Sequence, residues 1–229
     1  SQGPRSQGTR ALEDQSLSTT EELDLLHRIT HIIGSTLDLR TILQEIVALV
    51  SGLTKADACF IYLHEPSQRS LVLSASKPPH PGEIDQLRLR MGEGLTGWVA
   101  EHKKPLSIPE KAHEDHRFKF FHNLPEDKFE AFLSVPILVK DGVVGVINVQ
   151  HKKSYAYNEQ ALKLLTTIAR QVGGAIENAR LYEETRRKAD AIQTLSAVSR
   201  TVTSDRFMDE ILQLIVAMTA SLLGSKICS

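Results

Sequence analysis

Residues 131–150 read AFLSVPILVKDGVVGVINVQ and predict an antiparallel β-hairpin. Two runs rich in β-branched residues surround Asp141-Gly142, and this pair favours a tight turn because both residues tolerate positive φ. A second hairpin is predicted at 58–63 and 70–75, two β-prone runs joined by a short polar turn that contains a proline. A hairpin at each end argues against a doubly wound parallel sheet, in which helices connect neighbouring strands.

Helical and strand-like segments surround these hairpins. Residues 18–33 begin with hydroxyl and acidic side chains and continue with apolar residues at helical spacing, and 38–52 repeats this pattern. Between the hairpins, alternation at 87–90 predicts a short strand, 105–109 is a short extended segment, and 110–128 is a polar connection rich in His and Phe. The predicted order is therefore helix, helix, hairpin, mixed middle, hairpin and long helix.

The long helix is predicted to begin at Asn158, where helical spacing of apolar residues returns, and to continue to Val198. Gly173 and Gly174 lie inside it and cost about 1 kcal/mol each relative to alanine. The two glycines suggest that the helix closely approaches another backbone, with the sheet as the favoured partner. A local kink in the helix is the alternative. Positions between 168 and 189 that step by four and three resemble a coiled-coil seam, and a helix buried on one side only is the other interpretation.

The composition excludes several classes of protein. The 27 basic and 28 acidic residues give a net charge of −1, which provides no general field for nucleic acid or a membrane surface. No apolar run reaches the roughly 18 residues of a membrane helix, and the start lacks the features of a signal peptide. Cys59 and Cys228 are too far apart in sequence for a metal knuckle. We therefore expect a cytoplasmic segment that binds neither nucleic acid, nor a membrane, nor a metal.

An internal repeat predicts the domain organisation. Residues 42–49, ILQEIVAL, match residues 211–218, ILQLIVAM, at an offset of 169 positions. The same offset pairs Leu26 with Leu195 and Cys59 with Cys228, and it holds from Leu26 to Cys228 without a gap. The simplest interpretation is a second copy of the domain that begins near Arg187 and is truncated as its first strand starts. We therefore predict three parts: 1–17, a disordered N-terminus or one added in cloning; 18–185, one complete domain; and 186–229, a linking helix with the truncated N-terminal helices of the second domain.

Several motifs in order resemble those of GAF domains, over residues 20–185. They are MGEGLTGWV at 91–99, KPLSI at 104–108, FLSVPI at 132–137, GVVGVINV at 142–149, and YNE at 157–159 leading into a helix that ends AIENARL at 175–181. The resemblance implies an α+β fold, in which a six-stranded antiparallel sheet has terminal helices on one face. On the other face, loops and short helices would cover a pocket, as in GAF and PAS domains.

The same resemblance implies a non-catalytic sensory or regulatory GAF module in signal transduction. It would bind a small molecule, form a homodimer through its terminal helices, or do both, and relay its state through the long C-terminal helix. The alternative is a dimerisation or protein-docking scaffold with no small-molecule ligand. The sequence contains no G-x-S-x-G, P-loop or H-E-x-x-H motif and lacks the pocket cysteines of free-methionine sulfoxide reductases. We therefore expect no enzyme activity in this segment, whereas an attached output domain could be enzymatic.

Candidate pocket residues follow from strand alternation and from the family's pocket regions. Five of the seven phenylalanines lie within 118–132, and they suit either a flat ligand or a small core under a long loop. Arg117 and Lys119 are either contacts for an anionic ligand or exposed surface cations. The ligand-pocket candidates are Tyr62, Leu73, Leu95, Trp98, Val99, Ile108, His113, His116, Phe118, Phe121, Phe132 and Ser134.

The sequence leaves the ligand unknown. Residues 92–97, GEGLTG, match G-x-G-x-x-G, but no βαβ unit surrounds them, so a structural turn into a short helix is favoured over phosphate binding. For His113, His116 and His122, solvated loop positions are favoured over a metal site because cations flank them. Pocket histidines ligate haem in some GAF domains, so haem and other small ligands stay open.

Two ligands known for GAF domains are disfavoured by the sequence. Cyclic-nucleotide-binding GAF domains carry an Asn-Lys, Phe, Asp-Glu signature, whereas here Leu124 follows Asn123 and no acidic pair follows Phe132. Covalent bilin attachment needs a cysteine near the pocket, and Cys59 lies on the predicted first strand. We therefore expect neither a cyclic nucleotide nor a covalent bilin.

Overall fold

The computed structural model describes residues 19–36, 38–78, 80–119, 129–140, 142–202 and 205–223. The chain divides into two units, residues 1–179 and 180–229. The helices are α1 (Thr19–Ser35), α2 (Leu39–Thr54), α3 (Gly94–His102), α4 (Glu159–Val202) and α5 (Asp205–Leu223), with a 3₁₀ helix at Ala112–Glu114; the strands are β1 (Ala58–Glu65), β2 (Ser70–Lys77), β3 (Arg88–Arg90), β4 (Leu106–Ile108), β5 (Ala131–Val139) and β6 (Gly142–His151).

The six strands form one antiparallel sheet in the order β3-β2-β1-β6-β5-β4. The two predicted hairpins, β1–β2 and β5–β6, meet at its centre, where β1 pairs with β6. The short strands β3 and β4 form the edges. The predicted α+β fold with a six-stranded antiparallel sheet is therefore confirmed.

Side-chain caps fix the starts of two helices. The carboxylate of Asp38 accepts a hydrogen bond from the backbone N–H of Thr41 at 3.1 Å, and the amide oxygen of Asn158 accepts one from the backbone N–H of Ala161 at 2.8 Å. Each cap satisfies an N–H group that has no partner inside its own helix. α2 and α4 therefore begin where the sequence predicts.

The sheet is covered on both faces because successive side chains of a strand point in opposite directions. On one face, α1, α2 and the first part of α4 bury an apolar layer that we call the helix-side core; its largest fully buried members include Ile29, Leu43, Ile46, Ile61, Leu133, Ile137, Ile147, Leu165, Ile168 and Ile176. On the other face, α3 covers a second apolar layer, which we call the α3-side core and which includes Phe60, Tyr62, Leu71, Leu73, Leu89, Val99 and Val146. As predicted, the terminal helices therefore cover one face of the sheet and a short helix covers the other.

The β5–β6 turn is one residue shorter than predicted. Val139 pairs with Gly142, so β5 ends where the sequence predicts and β6 begins one residue before Val143. Lys140 has φ of 53° and Gly142 is already part of β6. The Asp-Gly pair correctly marked a hairpin, but its glycine is used in the ladder and not at the centre of the turn.

The two glycines of α4 have different surroundings. A Cβ atom on Gly173 would lie 3.0 Å from the carbonyl oxygen of Leu138 and 3.2 Å from the side chain of Val139, whereas one on Gly174 would have no neighbour within 4 Å. The predicted close approach to the sheet is therefore confirmed for Gly173. α4 continues as one helix through both residues.

The seam on α4 lies in two environments. Its first positions, Ile168, Val172 and Ala175, are buried in the helix-side core. The coiled-coil interpretation is therefore wrong for this part of the helix, because the sheet already covers it. Beyond the first unit the seam becomes exposed, beginning with Tyr182, whose side chain is 52% exposed.

The second unit carries many exposed apolar side chains. They are Leu181, Tyr182, Ile192 and Leu195 on α4, and Met208, Ile211, Leu212, Ile215, Val216 and Met218 on α5. Within the described ranges, no helix combines the length and the apolar character needed to cross a bilayer.

The two glycines of α4 should respond oppositely to alanine. Gly174→Ala is expected to raise the free energy of unfolding by about 0.5–1 kcal/mol, because alanine favours the helix and nothing obstructs its methyl group. Gly173→Ala is expected to lower it by about 1–2 kcal/mol, because the methyl group would press on the Leu138 carbonyl. Urea denaturation followed by near-UV circular dichroism measures both changes, and shifts of the same sign would contradict the packing argument.

Candidate ligand-binding site

The candidate site lies on the α3-side face of the sheet. Strand β5 contributes to both faces: Leu133, Val135 and Ile137 enter the helix-side core, while Phe132 and Ser134 face α3. The edge strand β4 pairs with this part of β5. The 3₁₀ helix follows β4 and adds a buried alanine to the cluster around Phe132.

Eight predicted pocket residues gather in two apolar clusters on this face. One cluster contains Leu95, Ile108, Phe118 and Phe132, and the other contains Tyr62, Leu73, Trp98 and Val99. Burial raises the pKa of the Tyr62 hydroxyl, so this group is neutral at physiological pH. The sequence therefore placed these side chains correctly on one side of the sheet, and their contact with a ligand stays a prediction.

A chain of buried polar side chains lies in this face. The hydroxyl of Ser134 donates to the Asn148 side-chain oxygen at 2.7 Å, and the Asn148 side-chain nitrogen donates to the Thr96 hydroxyl at 2.7 Å. All three residues are buried. The chain links β5 and β6 to α3 through uncharged groups, which can donate or accept hydrogen bonds at little electrostatic cost.

Sequence reasoning identified Ser134 as a pocket residue but missed Asn148 and Thr96. The signal for Asn148 was present: it is the one amide side chain within the apolar run GVVGVINV of 142–149. A polar residue in a strand buried on both faces requires a hydrogen-bond partner. Thr96 had no such signal, because short helices commonly contain exposed threonine.

The indole of Trp98 is held between two polar groups. The His102 ring stacks on it with ring centroids 4.3 Å apart, and the guanidinium carbon of Arg117 lies 4.9 Å from its centroid. Arg117 also donates to both carboxylate oxygens of Asp115, at 2.9 and 2.8 Å. These hydrogen bonds lower the pKa of Asp115 to about 2. Arg117 therefore has an internal counter-ion and is 24% exposed, which corrects the solvated-surface interpretation, whereas its contact with an anionic ligand stays a prediction.

A second ion pair fastens the same segment to the start of α3. The ammonium group of Lys119 lies 2.5 Å from the carboxylate of Glu93. Burial alone would raise the pKa of Glu93, but its hydrogen bond from the Arg90 backbone and its pairing with Lys119 outweigh burial and lower it. Residues 115–119 are thus tied to α3 by Arg117 and Lys119 together.

The predicted histidines fall at different depths. His113 is 26% exposed and its Nδ1 atom lies 3.5 Å from the Glu130 carboxylate, at the margin of the site. His116 is 88% exposed beside Asp115, so its prediction as a pocket residue is wrong. The charged segment on which it lies points this side chain to solvent. Among the described residues, no three His, Cys, Asp or Glu side chains are grouped so that they could hold a metal ion. Phe121, the remaining candidate, and His122 lie outside the described residues.

The glycine-rich segment before α3 is a structural turn, as the sequence favours. The N–H of Gly92 donates to the Gly97 carbonyl at 2.9 Å, and the N–H of Gly97 donates to the Glu93 carbonyl at 3.0 Å. A Cβ atom on Gly97 would lie only 2.6 Å from the Arg90 carbonyl oxygen. The Gly92 amide is used by the turn and the Gly97 amide by the first turn of α3, so neither forms a phosphate cradle.

Cys59 lies on the opposite face from the candidate site. Its side chain is fully buried in the helix-side core, and burial raises the pKa of its thiol to about 12. A neutral, enclosed thiol on that face cannot attack a chromophore bound under α3. This geometry gives a physical reason for the expectation that no bilin is attached.

Comparison with known proteins gives a match to one family. The family model described as GAF domain matches residues 36–177. Over 72% of the chain, the fold superposes with a TM-score of 0.66 and 29% identity on 97% of a crystal structure of the GAF domain from Acinetobacter phosphoenolpyruvate-protein phosphotransferase.

Two curated relatives have similar sequences. A dual 3′,5′-cyclic-AMP and -GMP phosphodiesterase 11A of Takifugu rubripes is 26% identical over 93% of the chain, and a Nif-specific regulatory protein of Herbaspirillum seropedicae is 24% identical over 87% of it. The chain spans 25% of the length of the first relative and 39% of the second.

The buried polar chain should contribute to stability. Thr96→Val is expected to lower the free energy of unfolding by about 1–3 kcal/mol, because the Asn148 amide loses its buried acceptor while the side-chain shape is kept. Thr30→Val is the matched control: its hydroxyl also makes a hydrogen bond on a helix, donating to the Leu26 carbonyl at 2.9 Å, but at an exposed position of α1. Urea denaturation of both variants measures the difference, and equal effects would contradict a specific role for the chain.

Proposed function

Because the chain belongs to the GAF domain family, we propose that residues 18–185 are a non-catalytic sensory or regulatory module that binds a small molecule and relays its state along α4. GAF domains occur in regulatory and sensory proteins, among them the Nif-specific regulator and the phosphodiesterase compared above. The observation that carries the proposal is the buried chain of Ser134, Asn148 and Thr96 between two apolar clusters under α3.

The side chains around the hydrogen-bonded residues Ser134, Asn148 and Thr96 suit a small, partly apolar ligand. The two clusters offer apolar surface, and the polar chain offers hydrogen bonds that fix an orientation, the combination typical of small-molecule sites. Two cations tied to α3, Arg117 and Lys119, are paired with Asp115 and Glu93. Since an unpaired buried charge is costly, we propose that the part of the ligand nearest Asn148 is uncharged.

Strand β5 provides a physical route from the ligand to α4. Phe132 and Ser134 face the proposed ligand, and the side chain of Ile137 on the same strand lies against Gly173 of α4. A ligand that shifts the packing on one face of β5 would change the contact on the other, because a well-packed interior transmits small displacements. Ordering of residues 115–119 over α3 would contribute in the same way.

The alternative is a scaffold that dimerises or docks a protein and binds no small molecule. It is supported by the exposed apolar side chains Leu181, Tyr182, Ile192 and Leu195 on the later part of α4. We propose that these side chains form the homodimer contact in either case. What separates the two functions is therefore the response to a ligand and not the dimer itself.

We also propose that residues 186–229 open a second GAF-like domain, with a linking helix and truncated N-terminal helices. Ile42 and Ile46 of α2 are buried by the sheet, whereas their equivalents at the offset of 169, Ile211 and Ile215, are 41% and 52% exposed. An apolar stripe with this spacing is expected where a sheet would pack. The coding sequence after residue 229 tests this: strands and a glycine-rich turn spaced as in 58–150 are expected, and another pattern would contradict it.

The ligand proposal is tested on the full chain. Native mass spectrometry of the purified protein is followed by a thermal-shift screen of amino acids, 2-oxo acids, nucleobases and haem, with cyclic AMP and cyclic GMP as compounds expected not to bind under α3. For a compound that raises the melting temperature, Ser134→Ala is expected to weaken binding about tenfold, through one lost hydrogen bond and a disturbed Asn148. Ser74→Ala, the same change on β2, is expected to leave affinity unchanged.

Light scattering after size exclusion completes this test. A dimer that responds to no compound would overturn the sensor proposal in favour of the scaffold. A ligand whose affinity is the same in both serine variants would show that it binds away from the polar chain.

A further inference from the structure

A cleft of about 550 Å³ lies on another part of the first unit, between the end of α2, the start of β1 and the chain that follows β6. Its lining residues are Lys55, Asp57, His151, Lys152, Lys153, Ser154 and Tyr155. It shares no residue with the candidate site under α3. We propose that this cleft binds an organic phosphate, with the lysines at the phosphate and Tyr155 against a flat organic group.

The backbone around the cleft is held by specific hydrogen bonds. Lys55 ends α2 with φ of 51°, in the left-handed conformation. The backbone N–H of Lys152 donates to the Asp57 carboxylate at 2.7 Å, and the N–H of Tyr155 donates to the Pro109 carbonyl at 2.9 Å. The lysines therefore extend from a fixed frame, which lowers the entropy lost when they meet a ligand.

The charge of the cleft favours an anion. The lining residues include three lysines and one carboxylate, that of Asp57, which already accepts the backbone N–H of Lys152. In the part of the chain that the structure describes, neither Lys55, Lys152 nor Lys153 has an ion-pair partner, whereas Lys119 and Arg117 elsewhere do. Lysine is a common phosphate ligand because its ammonium group forms charge-assisted hydrogen bonds with phosphate oxygens.

An aromatic stack forms the other wall of the cleft. The rings of His151 and Tyr155 are nearly parallel, at 3°, with centroids 4.1 Å apart. His151 is fixed by contacts of 2.9 Å from Nδ1 to the Tyr157 hydroxyl and 3.2 Å from Nε2 to the Thr54 carbonyl. Since a carbonyl only accepts, the Nε2 atom of His151 carries a proton and donates it to the Thr54 oxygen.

Size and long-range charge select among anions. The volume of the cleft lies within the range of small-molecule sites and accommodates a phosphate with one ring. The net charge of −1 provides no long-range attraction for an extended polyanion such as nucleic acid. The partly exposed ring of Tyr155, 38% accessible, offers stacking surface that inorganic phosphate would leave unused.

The test is an NMR titration of the ¹⁵N-labelled full chain with phenyl phosphate, read at the amides of residues 152–155. Saturable shifts are expected, with phenyl phosphate binding more tightly than inorganic phosphate. Lys152→Gln/Lys153→Gln is expected to weaken binding by about tenfold or more, because two charge-assisted contacts are lost. The matched control, Lys104→Gln/Lys163→Gln, removes two exposed lysines outside the cleft and is expected to bind as the unchanged chain does.

A second variant separates the two halves of the proposal. Tyr155→Leu is expected to weaken phenyl phosphate severalfold and to leave inorganic phosphate unchanged. Absence of saturable shifts, or equal weakening in the two double-lysine variants, would overturn the site. Equal affinity for the two phosphates would overturn the organic part. Neither result depends on whether a ligand binds under α3.

Discussion

The fold depends on strands that are buried on both faces. In β5 and β6 nearly every side chain is enclosed, and successive residues serve different layers. The helix-side core needs branched apolar residues from these strands, and the α3-side face needs space for α3 and the polar chain. A shift of register by one residue would exchange the side chains of the two faces, and Ser134 and Asn148 would then point into the helix-side core. The position of the candidate site is therefore set by the same pairing that closes the sheet.

Most of the fold was accessible from local signals. Hairpins, caps and helical spacing depend on neighbouring residues, so Asp38 and Asn158 predicted helix starts directly. The β5–β6 turn is one residue shorter than predicted because the ladder uses Gly142, a choice made by cross-strand pairing. For the candidate site, strand alternation and the pocket regions of GAF domains together placed eight of the apolar candidates on one face. Thr96 and the partners of Arg117 depend on contacts between distant segments, which one sequence does not reveal.

α4 changes environment along its length without a break. Its first half is amphipathic against the sheet and buries Ile168, Val172 and Ile176, while its later half exposes Leu181 and Leu195. A periodic seam in the sequence runs across both parts, so periodicity alone could not separate sheet packing from helix pairing. The close contact of Gly173 with Leu138 lies in the first part of α4, the part that packs on the sheet. Only the later part offers side chains for another helix or another chain.

The position of Trp98 has a consequence for how the molecule can be observed. It is the only tryptophan in the sequence, and its indole lies between an imidazole and a guanidinium beside the candidate site. Indole emission depends on nearby charges and on stacking partners, so displacement of Arg117 or His102 would change its intensity or wavelength. The protein thus contains an intrinsic fluorophore whose signal originates from one place, and events near α3 can be followed optically without a label.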